Sequence, residues 1–309
     1  MPLYLTEADV AGLITAGEAV PVLEACFLRM AGGGVENVPR RRLALDDGSF
    51  AVMYAVDREL GYAGAKAYAA TAGGAVFAVS LFDARTGELA AVLEADSAGQ
   101  RRTGAASGVA AKYLARHGAS TLGVIGCGWQ AESQVAAIRA AVPTIERVLA
   151  FCRTPEQLNA FCTKVGAEPA ESHAAAAAQD VVVTITTSRD PVLRGEWLRE
   201  GALVCAVGAN DPRKRELDNV VLERASFVCC DSKENAKLES GDLIEPIEAG
   251  VLDWLEVHEL HEVVAAIVPG RVADSDIVVF KSNGLAVWDV SIAAELVCRA
   301  RERGVGTTV

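Results

Sequence analysis

The chain has 309 residues, of which 51% are hydrophobic and 23% are charged, and it carries a net charge of −12. This length allows about two domains with cores of their own, and the composition is that of a globular rather than a disordered protein. The acidic balance argues against nucleic acid or an anionic membrane as a general partner. No basic and apolar leader and no uncharged run of bilayer length is visible, so we expect a cytoplasmic protein with no membrane partner.

The first third of the chain predicts helices followed by antiparallel strands. Residues 6–29 begin with a capping-box sequence and carry apolar residues at helical spacing, and residues 31–39 are predicted to be a loop. Short β-like runs then follow to residue 96, with hairpin-turn sequences at 46–48 and 85–87. Residues 104–116 are rich in small side chains and predict a helix.

From residue 117 onward, strand and helix patterns alternate. Near-continuous Val- and Ile-rich runs separated by helices are typical of a parallel sheet covered on both faces. We therefore predict an α/β protein in which a Rossmann domain, a doubly wound parallel sheet at residues 117–283, is inserted into an α+β domain with an antiparallel sheet. That second domain comprises residues 1–116 and 284–309, since the closing helix is inferred to return to it.

One motif supports the nucleotide domain most directly. A predicted strand runs into G-C-G-W-Q-A at residues 126–131, which is the G-x-G-x-x-A form of the dinucleotide fingerprint. Gly126 permits the tight turn, Gly128 lets a pyrophosphate approach the backbone, and Ala131 lets the helix pack closely on the strand. The exposed N–H groups at the start of the helix complete an anion site. A plain glycine-rich turn is the alternative, but the strand and helix on either side favour a nucleotide site.

The end of the next strand predicts which cofactor is bound. An NAD site places an Asp or Glu about twenty residues beyond the fingerprint, where it accepts hydrogen bonds from the ribose 2′-OH. Here the strand ends in Cys152, Arg153 and Thr154, with no carboxylate. A guanidinium and a hydroxyl suit a 2′-phosphate, so the sequence favours NADP(H) over NAD(H). The alternative is an exposed arginine without a ligand.

Three cationic residues and one loop are candidates for binding the substrate or for catalysis. Lys66 lies within a predicted strand among small and apolar residues, where an unpaired ammonium is costly. Arg102 lies at the head of a helix and would receive a carboxylate, and Arg41 belongs to a run of three arginines. From residue type alone each is more often a surface charge. Asp211 follows a predicted strand and is either a proton donor or a helix cap.

Two other patterns carry no site. His258 and His261 stand among carboxylates without the H-E-x-x-H spacing, so we expect a solvated amphipathic helix and no metal. The eight cysteines form no CxxC pair, and we expect them to be reduced, mostly as small buried hydrophobic side chains.

The motifs taken together closely resemble the ornithine cyclodeaminase/mu-crystallin family, and most of all its mu-crystallin-like ketimine reductases. The likeness extends over nearly the whole chain and is carried by AKAY, QRRTGAASGVAAKYLAR, GVIGCGWQAESQ, CRT, GEWLREGALVCAVGANDPRKRELD, DSKENAKLESGD and VVFKSNGLAV. The resemblance implies a homodimer joined through the antiparallel sheet. It also implies a small imine, amine or amino acid that carries a carboxylate and binds in the cleft between the domains.

The resemblance also assigns residues to the site. Arg41, Lys66 and Arg102 fall on positions that hold the substrate carboxylate or polar groups. The implied cofactor-binding residues are Gly126, Gly128, Trp129, Gln130, Ala131, Arg153, Thr154, Thr186, Thr187, Ser188, Val207, Lys281, Ser282, Asn283 and Gly284, with the last four near the nicotinamide.

One position departs from the cyclodeaminases of this family. They carry a catalytic aspartate where this chain has Asn210, with Asp211 one residue further on. An amide cannot act as a general base, although a shift of the loop by one residue could bring Asp211 into that role.

We therefore predict an NADPH-dependent reductase of small ketimines such as piperideine-2-carboxylate or pyrroline-2-carboxylate. Lys66, or a water held by Asp211, would keep the imine nitrogen protonated. The alternatives are an ornithine cyclodeaminase or alanine-type dehydrogenase that uses Asp211, and a cofactor-dependent protein that only binds a small ligand.

Overall fold

The computed structural model describes residues 1–309, which form fifteen strands, eleven α-helices and a 3-10 helix at Gly195–Trp197. In chain order the strands are β1 (Leu3–Leu5), β2 (Val35–Leu45), β3 (Gly48–Asp57), β4 (Tyr62–Thr71), β5 (Gly74–Asp83), β6 (Leu89–Glu94), β7 (Thr121–Ile125), β8 (Arg147–Phe151), β9 (Glu168–Pro169), β10 (Val181–Thr184), β11 (Leu203–Ala206), β12 (Phe227–Cys230), β13 (Val257–Glu259), β14 (Val278–Lys281) and β15 (Thr307–Thr308). The helices are α1 (Glu7–Leu13), α2 (Ala16–Ala31), α3 (Asp96–Leu114), α4 (Trp129–Ala141), α5 (Pro155–Val165), α6 (His173–Ala177), α7 (Asn219–Glu223), α8 (Lys233–Glu239), α9 (Gly241–Glu248), α10 (Leu260–Val264) and α11 (Ala286–Arg303).

The chain divides into two compact units. The first comprises Met1–Arg102 and Gly284–Val309, and the second comprises Thr103–Asn283. The division therefore falls within helix α3, whereas the predicted domain boundary follows residue 116, just beyond the end of that helix. A continuous helix has no change of composition or turn sequence at the point of division, so the pattern of residues gives no sign of it.

The first unit contains a seven-stranded sheet in the order β15-β1-β6-β5-β4-β3-β2. Strands β2 to β6 pair antiparallel with their successive neighbours, as predicted, but β1 pairs parallel with β6, so the sheet is mixed. The loop predicted at residues 31–39 is wrong in its second half. Strand β2 begins at Val35 because that residue already pairs with Asp57 of β3.

Capping and packing explain the helices of the first unit. Helix α1 begins with the predicted capping box, in which the Thr6 hydroxyl accepts from the Asp9 N–H and the Asp9 carboxylate accepts from the Thr6 N–H. Helix α11 packs on α2 and on strands β3 and β4, with the Phe27 and Trp288 rings edge to face at 5.5 Å. No single helix is long and apolar enough to span a membrane; α1 and α2, bent by 83°, satisfy that test only as a pair.

The second unit contains the predicted Rossmann-like sheet. Its eight strands run parallel in the order β13-β12-β14-β11-β10-β7-β8-β9. From β7 the chain proceeds through β8 and β9 to one side, and then crosses to β10 on the other side. This reversal is the topological switch point at which such sheets bind ligands. All residues of β10, β11 and β14 are buried, which explains their near-continuous apolar sequences.

Two local features complete the second unit. The helix predicted around His258 and His261 is wrong in its first half, because Val257–Glu259 pairs parallel with β12, whereas His261 lies in helix α10. All eight cysteines of the chain are free thiols and six of them are buried; Cys152 is half-buried and Cys298 is exposed.

Candidate active site

The fingerprint glycines occupy positions that impose different requirements. Gly126 has a φ of +107°, and a Cβ there would lie 2.4 Å from the Ile185 carbonyl oxygen, so only glycine fits. Gly128 precedes helix α4 with ordinary extended backbone, and a Cβ there would meet no atom within 4 Å. The backbone at Gly128 therefore faces open space where a ligand can approach it. Ala131 is fully buried in the first turn of α4, as close packing of the helix on the strand requires.

A pocket of about 310 Å³ lies beside this turn, at the switch point of the sheet. It brings together three segments that follow neighbouring strands. The lining residues are Ile125 to Gly128 after β7, Phe151 to Thr154 after β8, Ile185 to Ser188 after β10, and Gln157, His173 and Val192. Seven of the predicted cofactor-binding residues therefore lie in one place, namely Gly126, Gly128, Arg153, Thr154, Thr186, Thr187 and Ser188.

The lining of this pocket fits a dinucleotide. No Asp or Glu lines it, and Arg153 and Thr154 stand exposed at the end of β8, where a carboxylate would bind the ribose of NAD. Cys127 and His173 also line the pocket but were not predicted to do so. His173 follows a strand of only two residues, β9, which has no readable pattern.

A buried carboxylate, Glu216, fixes one wall of the pocket. One of its oxygens accepts from the Thr186 N–H at 2.7 Å and the Thr186 hydroxyl at 2.8 Å. The other accepts from the Gly208 N–H at 2.7 Å and the Thr184 hydroxyl at 3.0 Å. Burial, together with nearby Asp242, raises the pKa of Glu216. Glu216 thus holds the ends of β10 and β11 in register, a role that the sequence analysis missed.

Predicted residues at the end of β14 serve the interior of the second unit. The Lys281 ammonium is fully buried, 2.9 Å from an Asp242 oxygen and 2.6 Å from the Ala209 carbonyl oxygen. The Asn283 N–H donates to an Asp231 oxygen at 2.6 Å. Lys281 therefore positions the segment after β11 through Ala209. Its predicted place near the nicotinamide stays a prediction.

Four further residues predicted to bind the cofactor are Val207, Ser282, Trp129 and Gln130. Val207 is buried and its N–H donates to Thr184, and Ser282 hydrogen-bonds Asp231 at 3.3 Å. Trp129 is exposed at the start of α4, while the Gln130 side-chain oxygen is buried without a hydrogen-bond partner. None of these four residues lines the pocket, and their cofactor role stays a prediction.

The loop after β11 holds Asp211 in a forked ion pair. The Arg213 Nε lies 2.9 Å from one Asp211 oxygen and the Arg213 Nη2 lies 2.7 Å from the other. These bonds hold the pKa of Asp211 well below its usual range. A carboxylate that stays ionised is a poor proton donor and a weak base near neutral pH. The neighbouring Asn210 is half-buried.

The first unit contains a buried cluster of three charged side chains, Lys66, Arg102 and Asp289. One Asp289 oxygen lies 3.0 Å from the Lys66 ammonium and 3.2 Å from the Arg102 Nε. All three residues are less than one-tenth exposed. Two cations face one carboxylate, so positive charge is in excess, which suits an anionic ligand.

Burial and neighbouring charges set the protonation of this cluster. Burial lowers the pKa of Lys66 to about 8, although Asp289 acts in the opposite direction. Burial also opposes ionisation of Asp289, but Arg102 and Lys66 together hold the pKa of that carboxyl below its usual value. The lysine therefore carries a proton that it can release near neutral pH, beside a carboxylate that stays ionised.

A β-bulge decides which arginine accompanies Lys66. The pairing of β2 with β3 shifts between Val38 and Arg41, so Arg41 pairs with Val52 and is exposed. Lys66 pairs with Met53, whose sulfur accepts a hydrogen bond from buried Arg40 at 3.7 Å. Since neighbouring residues of a strand point to opposite faces, the structure places Arg40 rather than the predicted Arg41 on the face of Lys66.

Two glycines pack directly on the cations of the cluster. A Cβ on Gly99 would lie 2.8 Å from the Lys66 ammonium, and one on Gly284 would lie 2.7 Å from an Arg102 guanidinium nitrogen. Gly284 also has a φ of +86°, which favours glycine. In the first unit, Gly284 thus allows Arg102 its position. No group of three His, Cys, Asp or Glu side chains could hold a metal ion.

Comparison with known proteins agrees with this geometry. The family model described as the ornithine cyclodeaminase/mu-crystallin family matches residues 2–304. A Bacillus cereus Δ1-pyrroline-2-carboxylate reductase is 40% identical over 239 residues, which cover 75% of this chain and 73% of that protein.

Two solved structures superpose on nearly the whole chain. One is the Thermococcus litoralis Δ1-pyrroline-2-carboxylate reductase in complex with NADH and L-proline, with a TM-score of 0.94, 32% identity and coverage of 99% and 100% of the two chains. The other is an archaeal alanine dehydrogenase dimer with bound NAD, with a TM-score of 0.93, 34% identity and coverage of 100% and 98%. With a match over nearly all of its length, and the glycine turn and the Lys66 cluster in place, this chain belongs to the ornithine cyclodeaminase/mu-crystallin family.

Proposed function

We propose that this protein is an oxidoreductase that reduces the C=N bond of a small imine bearing a carboxylate, with NADPH in preference to NADH. The observation that carries the proposal is the buried cluster of Lys66, Arg102 and Asp289, in which positive charge is in excess. Such a cluster in a protein interior is costly unless an anion completes it. Similarity to pyrroline-2-carboxylate reductases supports the choice of a cyclic 2-imino acid as that anion.

The bound nicotinamide would supply the hydride that reduces the imine carbon. Arg102 and Lys66 would bind the substrate carboxylate by charge-assisted hydrogen bonds and so fix the position of the adjacent C=N carbon. Lys66, with its pKa near 8, would also keep the imine nitrogen protonated. Asp211 does not suit that role because Arg213 occupies both of its oxygens.

The preference for NADPH rests on the pocket of the second unit. Arg153 and Thr154 line it at the end of β8, and no carboxylate is present to accept from a ribose 2′-OH. The solved relatives contain NADH and NAD, so the preference is a property that we propose for this chain's own residues. Arg153→Gln should weaken the binding of NADPH and leave that of NADH nearly unchanged, as measured by calorimetry.

We further propose that the protein is a homodimer joined through the sheet of the first unit. Exposed apolar residues occur on its strands, among them Leu43 at 68%, Tyr54 at 51% and Val76 at 76% exposure. An apolar pocket of about 340 Å³ opens beside Tyr54 and Phe82. Sedimentation equilibrium tests the proposal, because Tyr54→Glu should convert the dimer to a monomer.

Alanine-type dehydrogenation is the second candidate, and it is supported by the likeness to the archaeal alanine dehydrogenase. Both reactions change the bond between nitrogen and the carbon next to a carboxylate. An assay that supplies pyrroline-2-carboxylate, piperideine-2-carboxylate, or pyruvate with ammonia separates them. We expect NADPH oxidation with the cyclic imines and much slower oxidation with pyruvate and ammonia. The reverse order of rates would replace the proposal with the second candidate.

A further inference from the structure

The nucleotide pocket contains a histidine that none of the fingerprint motifs predicts. His173 is the first residue of α6, and its ring lies 4.4 Å from the Phe151 ring and 6.4 Å from the nearly parallel Trp197 ring. The half-buried imidazole therefore has aromatic neighbours on two sides. His173 lines the same pocket as Arg153 and Thr154.

The charges around His173 are predominantly positive. From the segment after β8 come Arg153 and the Cys152 thiol, and α5 contributes the neutral Gln157. On the segment leading to α6, Glu171 is exposed, and on the 3-10 helix Glu196 is paired with Arg194 at 3.7 Å. Neither carboxylate lines the pocket. Burial, together with the charge of Arg153, lowers the pKa of His173 from its ordinary value of 6.5.

We propose that His173 and Arg153 together bind the 2′-phosphate of NADP(H), so that the choice between NADP(H) and NAD(H) depends on pH. The inference rests on the proposed dinucleotide-binding function. A phosphate dianion close to an imidazole favours the protonated ring. The pKa of His173 is therefore higher in the NADP complex than in the free protein, and binding of NADP+ takes up protons. NAD+ lacks this group and binds without the uptake.

The sign of the pH dependence follows from this linkage. Affinity for NADP+ rises as the pH falls through the window between the pKa of His173 in the complex and its lower pKa in the free protein. One linked proton changes the dissociation constant by at most about tenfold per pH unit. The phosphate itself takes up a proton near pH 6, which sets the lower limit of the useful range.

Isothermal titration calorimetry on the full chain tests the inference. The dissociation constants of NADP+ and NAD+ are measured at pH 8.5, 7.5 and 6.5, each in two buffers of different ionisation enthalpy. For the unmodified protein we expect the preference for NADP+ to increase about three- to tenfold from pH 8.5 to 6.5, with proton uptake for NADP+ only. In His173→Gln both effects should disappear. The matched control is His117→Gln, which removes an exposed histidine elsewhere in the same unit and should behave as the unmodified protein.

The possible outcomes separate this inference from the proposed function. Equal pH dependence and proton uptake in the unmodified protein and in His173→Gln would overturn the role of His173. Arg153→Gln should bind NADP+ more weakly at every pH yet retain proton uptake. If only NAD+ binds, dinucleotide-dependent reduction stands but this inference fails. If neither dinucleotide binds, the proposed function fails as well.

Discussion

Replacing Asp289 by asparagine removes the carboxylate that contacts both Lys66 and Arg102 while keeping the shape of the side chain. The lost oxygen charge lies 3.0 Å from the Lys66 ammonium and 3.2 Å from the Arg102 Nε, in a fully buried setting. Removal of one partner from a buried ion pair typically costs about 3–5 kcal/mol of folding free energy. We therefore expect Asp289→Asn to lower the free energy of unfolding by about that amount.

The same substitution should change the pH dependence of catalysis. Asp289 raises the pKa of Lys66 against the effect of burial, so its loss should lower that pKa further from about 8. A shift of one pH unit corresponds to about 1.4 kcal/mol, a modest fraction of the interaction that is lost. The protonated lysine is the active form in our proposal. The alkaline limb of kcat/KM, expected near pH 8 in the unmodified protein, should therefore move to lower pH in the variant.

Steady-state kinetics between pH 6 and 9.5, together with urea unfolding, measures both effects. Lys66→Arg serves as the comparison, because it keeps a positive charge that does not titrate in this range and should abolish the limb near pH 8. An Asp289→Asn protein with an unchanged limb would refute the assignment of that limb to Lys66. Unchanged stability would refute the argument that the carboxylate offsets the buried cations.

Three further predictions follow from the second unit. Gly128→Ala should leave the melting temperature within about 2 °C, because the new Cβ meets no atom, but it should weaken dinucleotide binding at least tenfold. Gly126→Ala should be strongly destabilising. Calorimetric scans and titrations compare the two variants. Glu216→Gln should lower the free energy of unfolding by about 2–4 kcal/mol and weaken cofactor binding, because an amide cannot accept from four donors. A variant with unchanged stability and full affinity would contradict this. Arg213→Ala frees Asp211 and should leave kcat/KM for imine reduction within about twofold, and a large loss would show that the ion pair has a catalytic role.

The parts of the fold that the sequence predicted are those with a local signature. The fingerprint, the hairpin turns and the capping box at Thr6 each depend on residues only a few positions apart. Strands β10, β11 and β14 are identifiable because burial on both faces makes their sequences almost entirely apolar. Strands as short as β1, β9 and β15 have no period long enough to detect, so the parallel pairing of β1 was missed.

The parts of the candidate site that the sequence did not predict depend on distant contacts. Asp289 meets Lys66 from a position 223 residues further along the chain, and no local pattern on α11 marks it. The placement of Arg40 rather than Arg41 beside Lys66 follows from a one-residue bulge, which reverses the face of every side chain beyond it. His173 acquires its setting from Phe151 and Trp197, which belong to other elements.

The measurement that tests the central claim most directly is the product formed from pyrroline-2-carboxylate by the purified protein with NADPH. We predict that NADPH is oxidised only when the imine is present, and that L- or D-proline appears in equal molar amount. Rates with NADH should be lower at the same concentration. Tight binding of the dinucleotide and of the imine, with no proline formed, would contradict the proposed reductase and indicate a protein that only binds its ligands.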